Sequence, residues 1–309
     1  MKILIESDKV GLRVDTVVSD MLKEKSLTRS IIQRYIDKGC KVNDKVCKKG
    51  DRLKLGDTLV IDEKYWEKTK EDMDLSNNII SQKGDLDIRY EDDDLIVLYK
   101  PKGLIVHPGV GSRDNTLANF VRFYLENKGA YDPLLDRAGI VHRLDKGVSG
   151  LMVIAKNKSI QEYLKKQFSE KKVIKIYHAH LKESNKVEQS IDIKKYLKNL
   201  NINLQPWKSW EKVEGYIGRD RVNRYRMEFR TYEFPNSKYA LSYILFSNDE
   251  ALIKIDTGRM HQIRATLKYL GYHIKGDKLY GNYTGDEIML ESVLLSLVEK
   301  DGTRLTFTV

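Results

Sequence analysis

GIVHRLDKGVSGLMVIAK, residues 139–156, is the stretch on which the fold of this chain turns. A polar segment punctuated by glycine, His142 to Gly147, separates the apolar pair Ile140-Val141 from the run Leu151-Met152-Val153-Ile154-Ala155. That run has the length and β-branched content of a buried strand. A loop pinned beside such a strand holds its side chains on a rigid frame, which a catalytic group requires. Asp145 lies in its middle, two residues after Arg143. An aspartate in such a loop more often belongs to a surface turn in which the carboxylate bonds its own backbone, so a catalytic reading rests on the rest of the chain.

The 309 residues carry 55 Lys and Arg against 45 Asp and Glu, a formal charge of +10, which favours a polyanionic partner such as nucleic acid. At 41% hydrophobic and 32% charged, the composition is that of a globular protein with room for two domains. The two cysteines, Cys40 and Cys47, match no zinc pattern and build no disulfide framework, which suits a reducing cytosol. No secretory signal is evident at the N-terminus, and no apolar run approaches the ~20 residues that span a bilayer. A cytoplasmic location without membrane association is expected.

Residues 1–64 read as a small module. Val14, Val17, Val18, Met21 and Leu22 form an apolar helical stripe, and a second helix, capped by Ser26 or Thr28, buries Ile31, Ile32, Tyr35 and Ile36. Asn43-Asp44 predicts a tight turn between short strands. Arg29 and Arg34, with Lys41, Lys48 and Lys49, make a basic face suited to phosphates. The module resembles the small RNA-binding domain of the ribosomal-protein-S-four type, or alpha-L motif. The matching residues are Leu12-Arg13, Asp15, Leu22, residues 26–30, Gln33, Ile36, Gly39, Val42-Asn43 and Gly56-Asp57. The resemblance implies a grip on structured RNA.

Residues 65–85 are polar without a sustained period and read as a linker. The second domain, 86–309, is dense in strands with few long helices, an α+β pattern. Its acidic turn, residues 91–94, reads as a solvated loop rather than a metal site. Residues 109–115 are glycine-rich but lack the ending of a phosphate-binding loop. Thr116 is placed to cap a helix beginning LANFV, and a further helix spans about 159–171. His178 and His180 share one face of a strand, but with no third ligand nearby in sequence they predict no metal site. Residues 182–238 interleave cations with Trp207, Trp210, Tyr216 and Tyr225, a mixture suited to RNA, whose bases stack on rings.

Three polar groups stand at the edges of apolar elements: Asp145, Tyr177 and Arg264. A guanidinium beside an aspartate keeps it ionised and oriented for nucleophilic attack, and a tyrosine stacks on a base or moves a proton. Four segments carry a wider resemblance: HRLDKGVSGLMVIAKN, YEDDDLIVLYKPKGLIVHP, KIYHA and TGRMHQIRATL with GYHIKGDKLYG. In order and spacing they resemble the RluA family of pseudouridine synthases over nearly all of residues 86–309.

The resemblance implies a mixed, mostly antiparallel sheet crossed by a catalytic cleft. It also implies isomerisation of uridine to pseudouridine in structured RNA, ribosomal or transfer, without cofactor or metal. It makes Asp145 the nucleophile, Tyr177 the residue that stacks on uracil and takes a proton, and Arg264 the partner of Asp145. Arg143 fills the space left by the flipped nucleotide, and His142 beside it is expected at the RNA. A monomer is expected. A non-catalytic ribosome-assembly factor on the same scaffold is the alternative. The chain departs from the family where Val148 replaces a usual threonine and where the run Arg264-Ala265-Thr266-Leu267 lacks a usual histidine. It departs again in an insert from about Ile193 to Glu214. These changes bear on the RNA target more than on the chemistry.

Overall fold

The structure, a computed structural model, describes residues 1–23, 29–68, 79–109, 112–182, 191–281 and 287–309, with the side chains of 29–31, 34, 35 and 194 left out. The chain divides into two compact units, Met1–Asn78 and Ile79–Val309.

The first unit contains β1 (Lys2–Leu4), α1 (Val14–Met21), α2 (Arg29–Gly39), β2 (Cys40–Val42), β3 (Lys45–Val46) and β4 (Thr58–Ile61). The strands form an antiparallel sheet in the order β1-β4-β2-β3. Asn43 and Asp44 both take positive φ, the conformation that matches a two-residue hairpin to strand twist. Val14, Val17 and Val18 pack with Ile32 and Ile36 over the sheet residues Leu59 and Ile61. Asp15, fully buried, accepts from Arg13 and from Gln33 of α2, which ties the helices together. Cys40 and Cys47 fill the same core, and burial pushes the Cys40 thiol up to about 12. Ser26 and Thr28, the expected cap, lie outside the described residues.

The unit extends into the expected linker. Trp66 is wholly buried in this core and its indole donates to the Gly39 carbonyl at 3.1 Å. At the other end of that stretch, Ile79 joins the core of the second unit. Hydrophobic side chains at 66 and 79 were concealed by the polar residues between them.

The second unit runs β5 (Asp87–Glu91), β6 (Leu95–Lys100), α3 (Leu117–Asn127), β7 (Ser149–Ala155), α4 (Lys158–Ser169), β8 (Ile174–His180), α5 (Ile193–Lys198), β9 (Glu211–Arg219), β10 (Met227–Arg230), β11 (Lys238–Ser247), β12 (Glu250–Ile255), α6 (Gln262–Tyr269), β13 (Leu290–Val298) and β14 (Arg304–Thr308). Ten strands make one sheet, ordered β10-β9-β11-β12-β8-β13-β7-β6-β5 with β14 beside β13. Only the β13–β7 pairing is parallel among the described strands. The sheet is thus mixed and mostly antiparallel, as expected.

Every residue of β7 is buried, because β7 lies between β13 and β6 and is covered by α3 and α4 residues such as Val121, Leu125, Ile160 and Leu164. Asn119 accepts from both the amide and the hydroxyl of Thr116, fixing the start of α3, and Asn157 caps α4 through the Ile160 amide. The acidic turn is structural: Asp92 accepts from the Asp94 and Leu95 amides, and Lys128 and Lys156 hold Glu91.

Trp207 and Trp210 correct the expectation of base stacking. They are 7% and 5% exposed, in a core with Ile174, Ile176, Ile202 and Leu252. Their indoles supply the largest apolar surfaces of the insert and are used to anchor it. Tyr225, at 81% exposure, does stand free at the turn between β9 and β10.

Candidate active site

Asp145 is carried by a loop closed at both ends against β7. Ile140 pairs with Ile154, and at the other end Gly150 sits at φ 122° with Ser292 so close that a Cβ would fall 2.4 Å from its backbone. Only glycine permits that approach. The Val148 amide donates to the Asp145 carbonyl, which makes the aspartate the first residue of a tight turn cornered by Lys146 and Gly147. From below, the ammonium of Lys100, itself fully buried, donates to the carbonyls of Pro101 and Leu104 and, at 3.4 Å, of Lys146. Burial lowers the Lys100 ammonium to about 8, while the Asp145 charge works in the opposite direction.

The register of β13 brings Tyr177 to this loop. Ser292 is the cross-strand partner of Gly150 on one side and of Tyr177 on the other. Tyr177 is 6% exposed; burial first, and then the Asp145 charge, push its phenol well above the ordinary tyrosine value.

The third group arrives on α6. Gln262 fixes the helix start: its carbonyl oxygen accepts from the Thr257 hydroxyl and the Arg259 amide, and its amide donates to the Leu241 carbonyl and the Ser242 hydroxyl. This places Arg264 with Nη1 3.4 Å from Asp145 Oδ2. The guanidinium is held chiefly by Asp277, 1% exposed, through Nε at 2.8 Å and Nη2 at 2.7 Å. Asp277 in turn accepts from the Leu279 and Tyr280 amides. The Tyr280 ring lies under the guanidinium at 4.9 Å, and its hydroxyl reaches His261 Nδ1 at 3.1 Å. His261 Nε2 stands 3.7 Å from Asp145 Oδ2, and burial lowers that imidazole's pKa.

Arg143, Asp145, Lys175, Tyr177, His261 and Arg264 line one cavity of about 170 Å³. Val148 forms part of the wall, so the departure at this position makes that wall apolar.

The structure therefore gathers Asp145, Tyr177, Arg264 and Arg143 at one cleft. His142 is a correction. Its Nε2 accepts from the Val153 amide at 3.0 Å, its ring stacks on Phe168, and burial lowers it to about 3, so the imidazole is neutral and engaged within the fold rather than with RNA. Lys41, Lys48 and Lys49 are exposed on the first unit; the side chains of Arg29 and Arg34 lie outside the described residues. Residue-by-residue reading overlooked Lys100, Lys175, His261, Gln262, Asp277 and Tyr280. All six stand inside the quoted segments, so proximity in sequence to Asp145, Tyr177 or Arg264 was the available signal.

These features define a catalytic domain of the RNA pseudouridylate synthase family, and the chain belongs to that family, whose profile matches residues 94–269. It is an isomerase of that class. Over 287 residues it is 30% identical to ribosomal large subunit pseudouridine synthase D of Escherichia coli, covering 90% of this chain and 75% of that one. The corresponding Buchnera aphidicola protein is 32% identical, with 88% and 77% covered. In fold, human RNA pseudouridylate synthase domain containing 1 superposes with a TM-score of 0.54 at 21% identity, over 74% of this chain and 85% of that one.

Proposed function

We propose that this enzyme converts uridines of ribosomal RNA to pseudouridine with Asp145 as nucleophile, Arg264 as its electrostatic partner and Tyr177 as the platform for the flipped base. The observation that carries the assignment is the 3.4 Å approach of Arg264 to Asp145 in a cavity that Tyr177 also lines. Ribosomal RNA is the substrate suggested by the relatives, which are named for the large ribosomal subunit.

In the reaction the C1′–N1 bond breaks, the base turns, C1′ bonds to C5, and the C5 proton leaves while N1 takes one up. The product is an isomer, so no oxidant or energy donor enters the balance. Turning the target out of its helix costs a few kcal/mol, which phosphate contacts by Arg143 and the other cleft cations offset. Burial and the Asp145 charge hold the Tyr177 phenol protonated in the free site. Covalent capture by Asp145 neutralises that carboxylate and removes the second cause, which eases loss of the phenol proton once the nucleophile has acted. Lys41, Lys48 and Lys49 are among the exposed cations of the first unit. Together with the S-four-like pattern, they support a role in gripping RNA.

The test is release of tritium from [5-³H]uridine ribosomal RNA isolated from cells lacking the enzyme. Asp145→Asn is expected to lower release by at least about 10⁴-fold, the scale of losing a nucleophile, with RNA binding retained. Wild-type protein that binds this RNA without releasing tritium would overturn ribosomal RNA as the substrate.

A further inference from the structure

On the face of β8 opposite Tyr177, His178 and His180 meet Glu250 of β12. Glu250 is the cross-strand partner of His180, so the third group, some 70 residues further along the chain, stands beside the histidine pair. Glu250 Oε1 lies 3.2 Å from His178 Nε2 and 3.2 Å from His180 Nδ1, and all three ligand atoms lie within 4.8 Å of one another. A tetrahedral ion with bonds of about 2.0–2.1 Å has ligand–ligand edges of about 3.3 Å. Two of the three edges therefore already have the zinc value.

The orientation of His178 separates this arrangement from an ordinary ion pair. Its Nε2 is buried and finds no hydrogen-bond partner of acceptable geometry among the described residues, despite the 3.2 Å approach of the carboxylate. Glu291, the neighbour of His178 across β13, accepts from the Tyr99 hydroxyl through Oε1. His180 and Glu250 remain 34% and 28% exposed, which gives an ion a path in and a solvent side on which to keep a water.

We propose that His178, His180 and Glu250 form a zinc site with three protein ligands and one open position. Two imidazoles and one carboxylate are a donor set that zinc favours, and harder cations such as magnesium prefer all-oxygen sites. The ion joins β8 to β12 from the face opposite the cleft, so it stabilises the strand that carries Tyr177 and takes no part in the isomerisation.

The test uses the full chain stripped with EDTA. Cobalt(II) is expected to give the d–d spectrum of a tetrahedral nitrogen and oxygen site at one equivalent, displaced by zinc, with zinc raising the melting temperature in proportion to its logarithmic concentration. His180→Ala and Glu250→Gln, at partly exposed positions, are each expected to weaken zinc binding at least tenfold while keeping the circular dichroism and the tritium-release rate of the wild type. Zinc affinity unchanged in both variants, no cobalt spectrum, or a thiolate charge-transfer band assigning the metal to Cys40 or Cys47, would each overturn the proposal.

Discussion

Asp277→Asn tests whether the active arginine is placed by its own carboxylate or by Asp145. Arg264 makes two short charge-assisted bonds to Asp277, at 2.8 and 2.7 Å, and a longer one, at 3.4 Å, to Asp145. The substitution preserves volume but replaces one acceptor oxygen by an amino group facing a guanidinium N–H. One charge-assisted bond is worth about 1.5–3 kcal/mol, and an uncompensated partner adds to the loss. Arg264 is only 13% exposed, so little water replaces the missing acceptor. A destabilisation of about 2–4 kcal/mol is expected, which for a unit of this size lowers the melting temperature by roughly 5–10 °C. The freed guanidinium then closes on Asp145, the proposed nucleophile. We expect kcat in the tritium-release assay to fall about 100-fold, while KM for RNA, dominated by phosphate contacts, changes about threefold or less. Wild-type melting and wild-type kcat in Asp277→Asn would refute the assignment of Asp277 as the positioning residue.

Thr266 is 1% exposed and its hydroxyl finds no hydrogen-bond partner among the described residues, so Thr266→Val is expected to stabilise the protein by about 1 kcal/mol, read as a rise in melting temperature. Lys175 is lowered from 10.5 to about 8, by burial and then by the charge of Lys254. Its folded pKa lies below the unfolded one, so it costs stability below pH 8, and that cost fades as pH rises toward 10.5. Relative to wild type, Lys175→Met should therefore be more stable at pH 7, by up to about 3 kcal/mol, and should lose that advantage by pH 10.5; paired denaturant titrations at the two pH values check the sign. Replacing Lys41, Lys48 and Lys49 by Gln should weaken RNA binding and reduce the slope of log K against log salt by about 2–3 if each meets one phosphate, as measured by filter binding across a salt series.

Much of this molecule is local and therefore legible in its sequence. Asn43-Asp44 sets a hairpin turn, the Thr116 region starts α3, and the unbroken apolar run of β7 marks the centre of a sheet, because each depends on neighbours a few residues away. His142 was misread for the opposite reason. Its polar, loop-borne side chain resembles a ligand-facing group until the Val153 amide is seen to use it. Trp207 and Trp210 were misread in the same way, since a basic segment with aromatics describes an RNA surface and an anchored insert equally well.

The sequence by itself determined the catalytic loop, its glycines and the residue types available for chemistry. Tertiary structure decided which of them meet. Asp145 and Arg264 are 119 residues apart and are joined by the position of α6. Gly150 and Tyr177 share Ser292 because β13 lies between β7 and β8. Glu250 reaches the histidine pair because β12 lies beside β8. Strand order and register are set by the summed burial of whole strands, and a displacement of one residue would turn Tyr177 to the opposite face. No short motif contains that sum.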